Sequence, residues 1–221
     1  MSKLSVFVMF FVLISYLKAQ KISNCQKLKA SVFQTNSLYY SPENLRSDTF
    51  DVLHYDIHLD INFTNTQISG FTEIKIVPKM NGQTSVRLDL LRMQVDSIKV
   101  DNQISSFWYN DTLLSIQLGG IKNIGDTFNV SVFYHGVPQV DPSGWGGFYF
   151  NGNYAFNLGV GFASLPHNFG RVWFPCFDNF VEKSAYDFYI QTDSTKFAYC
   201  NGALLSDNVV NGKRIQTLVY R

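Results

Sequence analysis

Between Val52 and Asn62 the apolar residues Tyr55, Ile57, Leu59 and Ile61 alternate with His54, Asp56, His58 and Asp60. A period of two puts the apolar set on one face of an extended strand and the polar set on the other. A helix would scatter both sets around its surface, so this stretch commits the chain to a half-buried sheet. The pattern recurs. Ile68 to Val77 repeats it up to Pro78, then come Val86, Leu88 and Leu90, and Val95, Ile98 and Val100 before Asp101-Asn102. Leu114, Ile116 and Leu118 end at Gly119-Gly120, and Phe128, Val130, Val132 and Tyr134 end at Gly136 and Pro138. Turn signals about every 8 to 12 residues are the mark of a sandwich or a curved antiparallel sheet. No segment beyond the N-terminal apolar run sustains helical periodicity over three turns, so the expected fold class is all-β.

From Asp141 the texture changes. Asp141-Pro142-Ser143-Gly144-Trp145-Gly146-Gly147 is rich in turn residues and leads to Phe148-Tyr149-Phe150. Asn151-Gly152 and Asn211-Gly212 are two-residue hairpin turns, because both residue types accept positive φ. Tyr186, Phe188 and Ile190 alternate, and Arg214 to Arg221 is a return strand. The sequence stops inside that strand pattern, which reads as a truncated end.

The N-terminus carries Lys3 followed by an apolar run from Leu4 to Leu17 and then Lys18-Ala19. Such a run is short for a membrane span and fits a secretory signal cut after Ala19, with a retained anchor as the alternative. The expected organisation is a signal peptide at 1-19, a leader segment at 20-49 and a C-terminally incomplete β domain at 50-221. The expected location is secreted, extracellular or periplasmic, with no membrane span after cleavage. Net charge is +1 and the basic residues are scattered. Nucleic acid, which wants a positive face, is therefore excluded as a partner. The three cysteines allow one disulfide, with Cys176 and Cys200 the favoured pair, or none. Asn62-Phe63-Thr64, Asn110-Asp111-Thr112 and Asn129-Val130-Ser131 match the glycosylation acceptor pattern.

Gly170-Arg171-Val172-Trp173-Phe174-Pro175-Cys176-Phe177-Asp178-Asn179 is the densest motif. Pro175 has no amide donor and fixes its own φ, so the run is not the middle of a central strand. Arg171 and Asp178 bracket residues fit for burial, and a buried charge needs a partner. The run reads as a rigid crossing tied by those charges. Cys176 has no basic neighbour to make a thiolate, so it is not a nucleophile. Asp178 and Glu182, four apart, are better read as structural links to Arg171 or Lys183 than as an acid and base pair.

His54 and His58 have the spacing of His-Glu-x-x-His, but position 55 is Tyr and the segment is a strand. Strand residues four apart stand about 13 Å from each other, too far to share a metal, so both read as exposed histidines. His167, beside Asn168, is a loop histidine that either lines a cleft or bonds a nearby carbonyl. His135 has no special context. Trp145, Phe148, Tyr149 and Phe150 form either a ligand platform or core, with Trp145 the hardest to bury in its glycine-rich turn. No Gly-x-Ser-x-Gly elbow and no phosphate-binding glycine loop occurs. The residues assemble no catalytic set and no metal site.

The pattern Arg171-x-x-Phe174-Pro175-Cys176-Phe177-Asp178 is similar to a signature in the N-terminal β domain of zinc aminopeptidases of the aminopeptidase N family. Tyr55-Asp56-Ile57-His58-Leu59-Asp60-Ile61, Ile68-Ser69-Gly70-Phe71-Thr72-Glu73-Ile74, Leu88-Asp89-Leu90, Asp126-Thr127, Tyr134-His135-Gly136, Gly146-Gly147-Phe148-Tyr149 and Asn201-Gly202 follow the family in order and spacing. The resemblance spans most of residues 48 to 221. It implies a saddle-shaped antiparallel β-sandwich packed against a catalytic domain of the same polypeptide, which holds zinc and cleaves a peptide substrate. The zinc-binding and amine-binding motifs do not occur in this sequence, so no catalytic or metal residue is carried over and no cofactor is expected on this chain. Two departures lie inside the match. Asp178-Asn179-Phe180 stands where the family has Asp-Glu-Pro, and Ser164 stands where the family has a Gln that reaches the cleft. Ser164 and His167 are the cleft-lining candidates that result. The alternative is a stand-alone secreted binding or adhesion module on the same fold.

Overall fold

The computed structural model describes residues 46–165 and 167–220. The expected signal peptide, Cys25 and nearly all of the leader lie outside them. A short helix α1 (Arg46–Thr49) leads into thirteen strands: β1 (Phe50–Asn62), β2 (Gln67–Pro78), β3 (Gln83–Asp89), β4 (Gln94–Val100), β5 (Gln103–Ile104), β6 (Phe107–Tyr109), β7 (Leu113–Lys122), β8 (Phe128–Gly136), β9 (Gly146–Asn151), β10 (Tyr154–Gly161), β11 (Ala185–Asp193), β12 (Ala203–Val210) and β13 (Lys213–Tyr220). The fold is all-β. Eight strands form one sheet in the order β12-β13-β11-β1-β2-β8-β4-β5, three form a second in the order β3-β7-β6, and β9 and β10 form a separate hairpin.

The alternation in β1 sorts its faces as the pattern requires. Tyr55, Ile57 and Leu59 are buried with Ile68, Ile74 and Ile76 of β2 and Val130, Val132 and Tyr134 of β8. A register shift between Val52 and His54 interrupts the alternation, so Val52 and Tyr55 are both buried while Leu53 is exposed. Val86, Leu88, Leu114, Ile116 and Leu118 bring the three-stranded sheet into the core. The Asn211-Gly212 turn has positive φ at both residues (50° and 76°), which lets a two-residue loop match the twist of β12 and β13.

One pairing departs from an antiparallel sheet: β1 runs parallel to β11, with Asp56 opposite Asp187 and His58 opposite Tyr189. Parallel neighbours need a long connection. Here it is everything from β2 to the Arg171–Asp178 crossing. On the outer face, Phe133, Phe71, His58 and Tyr189 stack in one rung across β8, β2, β1 and β11, with centroid spacings of 5.1, 4.2 and 4.1 Å. His58 is thus half-buried between aromatic rings, and His54 is half-buried too, where the sequence suggests two exposed histidines. Burial lowers the His58 pKa against the upward pull of Glu73.

Candidate functional site

The crossing begins with a 3-10 turn at Gly170–Val172, whose Arg171 and Val172 are buried. Arg171 Nη1 donates to Asp178 Oδ2 at 2.6 Å and to the Asn168 carbonyl at 3.3 Å, and the guanidinium lies 5.0 Å over the Phe169 ring. The other Asp178 oxygen accepts the Gly170 N–H at 3.0 Å. Both charged side chains are nearly sealed from water, 3% and 5% exposed. Burial raises the Asp178 pKa and neighbouring Asp89 adds to that, while Arg171 and the Gly170 amide pull the other way.

Around this pair the crossing is stitched to three strands. Asp89 at the end of β3 exchanges backbone hydrogen bonds with Cys176 at 2.8 and 3.1 Å, and its carboxylate accepts the Asp178 N–H at 3.0 Å. Tyr55 of β1 accepts the Phe177 N–H at 3.1 Å, and Tyr134 of β8 donates to the Trp173 carbonyl at 3.0 Å. Leu91 N–H reaches the Arg171 carbonyl at 2.7 Å. The Tyr55 ring meets Phe174 edge-on at 5.6 Å. Burial, with smaller contributions from Cys176, holds both tyrosine hydroxyls protonated far above their ordinary range. Backbone polar groups that Pro175 and the aromatic run exclude from a ladder thus find buried side-chain partners instead.

Upstream, the loop joining β10 to the crossing closes on Asp141. One Asp141 oxygen accepts the N–H groups of Ser143 and Ala163, each at 3.0 Å, together with the Ser143 hydroxyl; the other accepts the Ser164 hydroxyl at 2.8 Å. Burial favours the neutral acid, yet these donors outweigh it and hold the Asp141 pKa below the ordinary carboxylate range. Gly161 is required here, since a Cβ would sit 2.5 Å from Asp141 Oδ2 and 2.7 Å from Ser164 Oγ.

Ser164 is 1% exposed, so its hydroxyl faces the domain interior rather than solvent. His167 is exposed, with Nδ1 3.2 Å from the Gly161 carbonyl. The structure therefore does not bring the two cleft-lining candidates to a common surface; of the two, His167 alone presents its side chain to water. Glu182 accepts the Val52 N–H at 3.1 Å instead of meeting Asp178. Cys176 and Cys200 are not joined by a disulfide, which corrects the favoured pairing: Cys176 is buried in the crossing. Burial pushes the Cys200 thiol up to about 11. Trp145 is 66% exposed while Phe148 is buried against Trp173, so the aromatic run divides between surface and core. Sequence reasoning missed Asp141, although Asp141-Pro142-Ser143 carries the side-chain acceptor and turn chemistry of an Asx turn.

Beside this junction, β10 and the following loop leave Tyr154, Phe156, Leu158, Val160 and Phe162 exposed. The described residues bring no acid, base and nucleophile together at that surface. His-Glu-x-x-His does not occur in the sequence, so these residues do not fit the zinc centre of the aminopeptidases.

A family model described as the peptidase M1 N-terminal domain matches residues 52–218, and the chain belongs to that family. In solved structures the fold is similar to the M1 zinc metallopeptidase from Deinococcus radiodurans, with a TM-score of 0.69 at 21% identity over 78% of this chain and 39% of that one. It is also similar to native yeast LTA4 hydrolase, with a TM-score of 0.62 at 20% identity over 81% and 28%. Both likenesses are of fold. Among curated proteins, leucine aminopeptidase 2 of Vanderwaltozyma polyspora is 23% identical over 77% of this chain and 27% of its own length. Transcription initiation factor TFIID subunit 2 of Danio rerio is 21% identical over 73% and 17%. The chain therefore spans under a third of the curated relatives named here.

Proposed function

We propose that this chain is the N-terminal, non-catalytic β domain of an exported zinc-dependent aminopeptidase, acting on peptides through a catalytic domain of the same polypeptide. The observation that carries the reading is the family match over residues 52–218 together with the absence of the zinc motif from the sequence. The exposed apolar residues Tyr154, Phe156, Leu158, Val160 and Phe162 support it, since large apolar side chains gathered on one exposed stretch suit a docking face. In this role the Asp141 loop and the Arg171–Asp178 pair hold that face rigid, and His167 stands beside it as one wall of the cleft.

Three measurements test the reading. The purified 221-residue chain should release no amine from aminoacyl p-nitroanilides; turnover abolished by a chelator would overturn it. The coding frame should continue past Arg221 into His-Glu-x-x-His; a stop codon there would favour the stand-alone module. Export is tested by fusing residues 1–19 to a reporter enzyme that is active only outside the cytoplasm, where an inactive fusion would remove that part of the proposal.

A further inference from the structure

Three Asn-x-Ser/Thr triplets occur in the sequence, and the fold gives them unequal settings. Sugar transfer uses the Asn side-chain nitrogen, and a folded domain carries the bulky product only where that nitrogen faces solvent. Asn62 ends β1 and is exposed at the turn into β2. Its Oδ1 accepts the Thr64 N–H at 2.9 Å and the Asn65 N–H at 3.4 Å. Phe63 anchors this turn, with its ring edge-on to Phe150 at 5.7 Å and the Lys196 ammonium 4.2 Å from its centroid. Asn110 is exposed where β6 turns into β7. Its Oδ1 accepts the Thr112 hydroxyl at 2.8 Å and the N–H groups of Thr112 and Leu113 at 3.2 and 2.8 Å. Asp111 has a φ of 68°, which Asp and Asn tolerate, and its carbonyl accepts the Arg92 N–H at 2.8 Å. At both turns the amide oxygen orders the backbone, and among the described residues the amide nitrogen has no acceptor. Asn129 differs. It lies in β8, between β2 and β4. Its Nδ2 donates to Glu73 Oε1 at 3.3 Å, and the Ser131 hydroxyl donates to Glu73 Oε2 at 3.1 Å. Ser131 is buried and Asn129 half-buried, so a glycan there would force a bulky group into the Glu73 contact.

We propose that Asn62 and Asn110 carry N-linked glycans and that Asn129 does not. The proposal rests on the export reading, because the sugar donor, a lipid-diphosphate-linked oligosaccharide, is met on the secretory route. In the transfer, Asn Nδ2 forms a bond to the anomeric carbon of the oligosaccharide. The bond from that carbon to the diphosphate oxygen breaks, the lipid diphosphate leaves, and the amide nitrogen gives up one proton. Transfer to a growing chain precedes folding, so the fold acts by deciding which product it accommodates. The two turns accommodate one without loss of a hydrogen bond, and a hydrophilic glycan then holds each turn in solvent. Strand β8 does not, because the same Asn129 nitrogen is already committed within the sheet.

The test expresses the 221-residue chain in a eukaryotic secretory host, once with its own residues 1–19 and once with an established signal peptide in their place. Secreted protein is treated with peptide N-glycosidase, which leaves Asp at each glycosylated Asn, and its peptides are read by mass spectrometry. Behind the replacement signal, conversion is expected at Asn62 and Asn110 and not at Asn129. Asn62→Gln and Asn110→Gln should each remove one glycan from the intact mass, and the pair should remove both. Thr64→Ala and Thr112→Ala should do the same with each asparagine retained, while Ser131→Ala should leave the glycan count unchanged. An unmodified Asn62 or Asn110 in the secreted chain would overturn the proposal, as would a glycan on Asn129 in secreted chain with native circular dichroism. A chain glycosylated at the two turns behind the replacement signal, yet retained in the cytoplasm with its own N-terminus, would support the two sites and remove the export reading alone.

Discussion

The crossing and the β9–β10 hairpin are neighbours built on opposite rules. At the crossing, Arg171, Asp178 and Asp89 are charged groups sealed inside the domain; at the hairpin, Tyr154, Phe156, Leu158, Val160 and Phe162 are apolar groups left outside. Both invert the usual distribution, in which apolar residues are inside and charges outside. The inversion is local and paired. A buried polar network holds one backbone arrangement because any other leaves charges unmatched. An exposed apolar row gains less from its own domain, where Phe156 stacks on Tyr149 at 5.0 Å, and contributes more when something covers it. The first makes a rigid base, and the second is the face that base presents.

Each side of the contrast can be broken separately. Arg171→Ala should be the most damaging change, at about 3–5 kcal/mol, because it leaves Asp178 buried without its cation; urea melts read this. An Arg171→Met, Asp178→Leu pair that costs clearly less would show that the pair specifies the crossing more than it stabilises it. Tyr134→Phe removes the donor to the Trp173 carbonyl and the Thr72 contact, for a loss of about 1–3 kcal/mol on the same scale.

Strong acid should weaken the loop beneath the hairpin. The Asp141 carboxyl has a lower pKa folded than unfolded. Its contribution is therefore full above the ordinary carboxylate value of ~3.9 and is lost as pH falls through the folded value. A stability profile measured from pH 7 downward should decline over that range, and Asp141→Asn should flatten that part of the decline. The smallest effect on stability belongs to the surface. Leu158→Ser with Phe162→Ser should shift unfolding by no more than about 0.5 kcal/mol, yet reduce binding of an apolar fluorescent dye. A large loss of stability would place those side chains in the core.

The contrast also marks what could be read from residues alone. Period-two runs and Asn-Gly turns report the chain's own local geometry, so β1, β2, β7, β8 and the β12–β13 hairpin were legible. Arg171 and Asp178 were legible as a buried couple because Pro175 and the aromatic run leave charges nowhere else to go. Their other partners were not, since Tyr55, Asp89 and Tyr134 arrive from distant strands and carry no mark of that role. Ser164 shows the same limit: the family resemblance, which has a cleft-reaching Gln at this place upstream of the motif, suggested a cleft contact, and Asp141, 23 residues earlier, turns its hydroxyl inward. The parallel seam was invisible for the same reason, because alternation says which face a residue occupies and not which strand lies beside it.

That seam bears on how the domain comes to exist. Strand β1 is made before the other described strands, yet the Val52 amide waits for Glu182, 130 residues later in the chain. Contacts of such separation carry the largest loop-closure entropy and slow the approach to the native state. During synthesis, β1, β2 and β8 can pair while the β11 side of β1 remains an open edge. A nascent chain is most exposed to mispairing in that interval, and it ends only when the stretch after the crossing has emerged.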